Sequence, residues 1–301
     1  MGEGKFGGKV LGMLVTRTGG FPIGFRQGWT EWFKDIDAMV GWTKSQDLSV
    51  IDLGGNCLAH LPTMNANGIR VGSVDLQDWQ GLISDDPAHQ KASLEANEKF
   101  ISECAKFGVT NYFTVMLPKD PTKKRSENFA LMMDSLNKLA KILEANNGKL
   151  VIEGWPGAGA LCCTPEGYRA CLKDTSNAIG INYDPSHLIR MGVDPIRFLK
   201  EFPDRVYHVH GKDCIVNQEA MYEYGTEQPS TFDKGHDFGN SVWHYTIPGH
   251  GITPWTEVFT ILETAGYQGA VSIELEDENF NGSETGEKLG IITGSAILAS
   301  A

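Results

Sequence analysis

The chain has 301 residues, 41% of them hydrophobic, enough to bury a sizeable core in one large α/β domain or two small ones. Its 38 acidic residues against 26 basic ones leave a net charge of −12, which gives a polyanion such as DNA no general electrostatic attraction and disfavours nucleic acid as a partner. No run of eighteen apolar residues occurs, and "MGEGKFGGKV" lacks the charged-then-apolar order of a leader, so a cytoplasmic protein with no membrane partner is expected.

Eight short apolar, β-rich runs recur along the chain: 9–15 (KVLGMLV), 48–54 (LSVIDLG), 69–76, 110–117, 149–154 (KLVIEG), 178–184 (AIGINYD), 205–211 (RVYHVHG) and 269–275 (GAVSIEL). Most are separated by longer stretches whose apolar residues fall near helical spacing, as in "RSENFALMMDSLNKLAKILEANNG". "TPEGYRACL" and "VDPIRFLKEF" place Thr or Asp at an N-cap with Pro behind it, and "KFG", "NNG" and "TAG" stop helices before the next strand. After the second run, "NCLAHLPTMNANG" is too short and polar to be assigned a helix. Eight strands alternating with helices over this length predict a (β/α)8 TIM barrel forming a single domain over 1–301. A doubly wound open sheet is the alternative, but no GxGxxG follows the first run. Residues 215–251 form the longest irregular segment, expected to be an inserted loop acting as lid, binding loop or subunit contact.

The six cysteines, at 57, 104, 162, 163, 171 and 214, contain no CxxC and read as reduced core or loop thiols. Polar residues gather instead where a barrel carries its chemistry, at the C-terminal ends of strands. Strand five ends in Glu153, strand six in Asp184, strand seven in His210 and strand eight in Glu274. One such carboxylate would be a helix cap or surface group, but three converging carboxylates repel unless a cation joins them. A divalent ion resolves the repulsion, and an oxygen-rich set with one imidazole suits manganese, magnesium, cobalt or zinc.

Several neighbours are open to two readings. His187, three residues past Asp184, either caps the next helix or moves a proton at the same mouth. Lys212 and Asp213 either hold substrate hydroxyls or form a structural ion pair. Trp155 either walls a sugar ring or packs in the core, and His250, between two glycines in "PGHG", is a weak substrate-binding candidate. His208 faces the same side as His210 one layer deeper and reads as a satisfied core histidine.

Taken in order, "VIEGWPG", "NYDPSHLIRMGVDP", "RVYHVHGKD", "PGHGITPW" and "GYQGAVSIELED" resemble the sugar phosphate isomerase/epimerase family, the xylose-isomerase-like barrels that include ketose 3-epimerases, inosose dehydratases and endonuclease IV enzymes. The resemblance covers the second half of the chain best. It implies that Glu153, Asp184, His210 and Glu274 bind one divalent metal, with manganese the first expectation, and that His187 contacts substrate. It further implies that Glu153 and Glu274 act as base and acid on the carbon next to a carbonyl of a ketose, inosose or related polyol, through an enediolate. An alternative within the same resemblance is a lyase that follows the same proton abstraction with elimination from a keto-sugar or 3-keto-glycoside. Trp155 stands where xylose-type aldose isomerases carry a lysine, and strand four offers none of the extra histidines of the endonuclease IV enzymes, which argues against both reactions. A small carbohydrate is therefore the expected partner, and a dimer or tetramer would be ordinary for such barrels.

Overall fold

A computed structural model describes residues 9–10 and 12–301. Eight parallel strands, β1 (Ile23–Arg26), β2 (Val50–Leu53), β3 (Arg70–Asp75), β4 (Asn111–Val115), β5 (Lys149–Glu153), β6 (Ile179–Tyr183), β7 (Val206–Gly211) and β8 (Val271–Ile273), close into a barrel in chain order. Closure falls between β8 and β1, where Val271 pairs with Ile23 and Ile273 with Phe25. Strands such as β2, β5 and β6 read as largely apolar runs because they are buried on both faces, as parallel strands flanked by helices must be.

Helices α1 (Ile36–Ser45), α2 (Leu61–Ala66), α3 (Pro87–Ala105), α4 (Arg125–Ala145), α5 (Pro165–Lys173), α6 (Pro185–Arg190), α7 (Pro195–Glu201), α8 (Gln218–Tyr224), α9 (Trp255–Thr264) and α10 (Glu284–Ser300) follow the strands. Their starts repeat one device. Asp86, Thr164, Asp184 and Asp194 each accept a backbone N–H at the N-cap with Pro immediately behind, where the missing N–H costs nothing.

The chain groups into two compact units: the described residues through Ile51 with Asp184–Pro203 and His210–Ala301, and Asp52–Tyr183 with Asp204–Val209. The first has a core of Ile23, Phe25, Phe259, Leu262, Val271 and Ile291, all fully buried, each contributing roughly 2 kcal/mol by leaving water. The second buries Leu53, Val74, Tyr112, Leu136, Leu150 and Ile179. No disulfide links the six cysteines, all of which are buried, and among the described residues no helix is long and apolar enough to cross a membrane.

Three sequence expectations need correction. The run 9–15 is not the first barrel strand: Gly12 takes a left-handed φ of +80°, the run folds back, and Lys9–Val10 pairs antiparallel with Met13–Leu14. The barrel begins instead at Ile23–Arg26. The polar stretch after β2 does form a helix, because Pro62 starts α2 and Leu61 and Met64, three residues apart, both bury. The 215–251 segment is not irregular throughout. Asp213–Val216 and Trp243–Thr246 pair as an antiparallel ribbon, and α8 lies between them.

Candidate active site

In the first unit the site grows from two strand ends. Asp184 directly follows β6 and caps α6, its Oδ1 accepting Ser186 N at 2.9 Å and Ser186 Oγ at 2.6 Å. Capping uses only that oxygen. Oδ2 is buried without a hydrogen bond and lies 3.2 Å from Lys212 Nζ and 3.4 Å from His187 Nε2. His187 sits on α6, which Pro185 and Ser186 open, and it is 1% exposed. Asp184, His187 and Glu274 each offer a donor atom within 4.8 Å of the others'.

Glu274 directly follows β8. Lys212 Nζ lies 2.5 Å from its Oε2, His210 Nδ1 3.2 Å from the same atom, and Arg26 Nε, at the end of β1, 3.3 Å from Oε1. Burial alone would raise the Glu274 carboxyl, but Lys212, then His210 and Arg26, hold it well below the usual carboxylate range.

Lys212, 1% exposed, is the hub of this cluster. Besides Glu274 and Asp184 its ammonium meets Glu276 Oε2 at 2.9 Å, His187 Nε2 at 3.5 Å and the Tyr245 ring at 4.5 Å. Tyr245 arrives on the ribbon. Its hydroxyl lies 2.7 Å from His187 Nδ1 and accepts from Arg190 Nη1 at 2.6 Å, while the Arg190 guanidinium stacks 4.3 Å over Trp243. Burial, above the opposing pull of Lys212 and Arg190, pushes the Tyr245 phenol up, so it stays protonated.

Asp213, the other half of the expected Lys-Asp pair, has a structural post. Its carboxylate accepts Cys214 N, Thr253 N, Thr253 Oγ1, Gly249 N and Trp255 Nε1. His250 lies outside the Lys212 cluster, exposed and with its ring 6.3 Å from that of Phe280.

The second unit holds Glu153 at the end of β5, 4% exposed. Register places Asn182 of β6 opposite it, and Asn182 Nδ2 donates to Glu153 Oε2 at 2.8 Å. His208 pairs with Asp52 at 2.7 Å, both fully buried, which is the satisfied core histidine expected of it. Trp155 leaves 39% of its surface exposed.

Arg26, Glu276 and Tyr245 escaped the sequence reading. Arg26 ends β1, which carries little strand signal in the sequence, and Tyr245 reaches the cluster only through pairing across some thirty residues. Glu276 did carry a signal, because period-two alternation from Glu274 points it to the same side.

Carboxylates with imidazole and no thiolate fit a hard or borderline divalent cation, and the buried Asp184 Oδ2 without a hydrogen bond is the atom such an ion would satisfy. Fold and cluster together define a (β/α)8 barrel with a strand-end cluster suited to a divalent ion. The chain belongs to the xylose isomerase-like TIM barrel family, whose model matches residues 52–296. It is 31% identical over 175 residues to the uncharacterized protein YfiH of Bacillus subtilis, covering 56% of this chain and 54% of that one. It is 28% identical over 152 residues to an inosose dehydratase of Clostridium beijerinckii, covering 50% and 48%. The chain thus spans about half the length of these curated relatives. Similar folds include the 3-keto-D-glucoside 4-epimerase YcjR of E. coli (TM-score 0.64, 14% identity, 91% of this chain and 99% of that one) and D-psicose 3-epimerase of Clostridium cellulolyticum H10 (TM-score 0.67, 14% identity, 93% and 100%).

Proposed function

We propose that the protein is a divalent-metal-dependent sugar isomerase or epimerase acting at the carbon next to a carbonyl of a ketose, inosose or related polyol. The observation that carries this reading is the donor cluster of Asp184 and Glu274, which directly follow barrel strands, with the buried His187 of α6, in a member of this family. Glu153, Asp184, His210 and Glu274 are the ligands assigned, with His187 as the alternative imidazole, and manganese is the first ion to try. When bound, the ion supplies Lewis-acid stabilisation of the charge that gathers on the carbonyl oxygen.

The chain's own groups do the proton work. Glu153, held by Asn182, takes the α-proton, and the electron pair of that C–H bond passes into the enediolate. Glu274, ionised at rest, takes up a proton from solvent and delivers it to the opposite face or the adjacent carbon, and Glu153 releases the abstracted proton to solvent, so atoms and charge balance over the cycle. His187, with Tyr245 on its Nδ1, orients a substrate hydroxyl. A cavity of about 170 Å³ beside Glu274 and Glu276 is lined by Trp29, Phe33 and Phe238 as well as Gln27 and Asn281, a mixture that suits a sugar's apolar ring face and its hydroxyls.

A second reading is favoured by the relatives named inosose dehydratase. There the same proton abstraction is followed by cleavage of a C–O bond, the departing hydroxyl leaving as water with a proton relayed from solvent through Glu274 while Glu153 returns the abstracted proton to solvent. Both are tested by incubating manganese-loaded protein with ketoses, inososes and 3-keto-glycosides in deuterated water and following the products by NMR. Deuterium at one carbon with unchanged connectivity identifies the isomerase or epimerase, and an enone or released aglycone identifies the lyase. Undiminished exchange by Glu153→Gln would sink the acid-base assignment.

A further inference from the structure

The centre of the donor cluster holds a cation supplied by the chain itself. Lys212 Nζ lies 2.5 Å from Glu274, 3.2 Å from Asp184 and 3.5 Å from His187, and donor atoms of those same three residues lie within 4.8 Å of one another. A first-row dication bonds oxygen or imidazole nitrogen at about 2.0–2.2 Å. Bound to these residues, it would fall into the space the ammonium now takes, and two cations sharing the same donors in a buried site repel strongly.

We propose that Lys212 is the resident counter-ion of this site and that a divalent metal enters by exchange with its ammonium rather than by addition beside it. The inference rests on the metal-dependent reading above. Two contacts make the exchange feasible, because Glu276 at 2.9 Å and the Tyr245 ring at 4.5 Å are partners of Lys212 outside the donor cluster. Neither belongs to the set that takes the metal, so the ammonium keeps a carboxylate and an aromatic face after giving up Glu274 and Asp184. The unliganded carboxylates of Asp184 and Glu274 are thereby never left without positive charge. The arrangement lowers metal affinity by the free energy of breaking two ion pairs, and it stabilises the metal-free fold.

The test is manganese titration by calorimetry on the full chain, with melting curves of each protein with and without the ion. Lys212→Met is expected to bind manganese at least tenfold more tightly than the unmodified protein. Its metal-free form melts several degrees lower, and manganese raises its melting temperature by more than it raises that of the unmodified protein. Equal or weaker binding by a folded Lys212→Met overturns the exchange, while leaving the metal-dependent reading intact because the unmodified protein still binds. Failure of both proteins to bind manganese, magnesium, cobalt or zinc sinks the metal-dependent reading itself, and the exchange with it. Should Lys212→Met not fold without metal, Lys212→Arg carries the test. A guanidinium grips carboxylates more firmly than an ammonium, so exchange predicts at least a tenfold loss of manganese affinity, and unchanged affinity overturns it.

Discussion

Two carboxylates in the same unit, the buried Asp213 and the largely covered Glu274, are satisfied in opposite ways. Five neutral donors from the backbone, a hydroxyl and an indole surround Asp213, which is fully buried, whereas Glu274 is held by Lys212, His210 and Arg26. Neutral donors fixed by local chain geometry make a permanent joint. Charged side chains on separate elements hold Glu274 by attraction rather than by one fixed local geometry, which suits proton transfer and cation binding. A carboxylate's partners therefore indicate its role better than its burial does.

The sharpest way to break this contrast is to neutralise each carboxylate with its amide. Glu274→Gln keeps the shape and removes the group proposed to deliver the proton, so exchange with solvent deuterium should fall about 10³-fold, measured on protein whose circular dichroism is unchanged. Asp213→Asn should act in the other direction. An amide nitrogen turned against backbone and indole donors loses several bonds of the joint, costing on the order of 3 kcal/mol in urea unfolding. A large loss of exchange in folded Asp213→Asn, with little loss of stability, would erase the distinction. Tyr245→Phe is a milder probe, because the ring that faces Lys212 remains while the hydroxyl bonded to His187 and Arg190 is lost. Roughly tenfold slower exchange and about 1 kcal/mol of stability are expected, and an effect on stability alone would move Tyr245 from the working cluster to the framework.

The same contrast explains what could be read without the structure. Seven of the eight barrel strands and the strand-end positions of Glu153, Asp184, His210 and Glu274 were legible, because an apolar run that stops at a charged residue is a local signal. The first strand was not. It spans Ile23–Arg26 and has Gly24 in its middle, where a methyl group would come within 2.1 Å of Val50 O, so close strand approach bars any side chain there and interrupts the apolar run that marks a strand. With that strand misplaced, Arg26 had no reason to be near Glu274. Asp213 and Lys212, adjacent in "GKD", were equally open to structural and functional readings, since nothing local says that Thr253 and Trp255 return to one and Glu274 to the other.

The smallest expected effect concerns the segment joining the two ribbon strands. His236 Nδ1 lies 2.7 Å from Glu278 Oε1, Asp237 N donates to Glu278 Oε2, and the His236 and His244 rings stack 3.9 Å apart. The His236 contact, then the Asp237 N–H, holds the Glu278 carboxyl below its ordinary 4.5. Burial, then His236, holds His244 below its ordinary 6.5, outweighing the opposite pull of Glu278 and Asp277. Both folded values are depressed, so each group binds protons more readily once the segment opens. The stability contributed by His244 is present above pH 6.5 and lost as pH falls through its lowered folded value. That contributed by Glu278 is present above pH 4.5 and lost as pH falls below it. Amide exchange or limited proteolysis across residues 225–242 should therefore quicken in two acid stages while the barrel strands stay protected. His244→Gln, which cannot take up the proton, should remove the first stage and spare the second; persistence of both stages would place the acid sensitivity elsewhere.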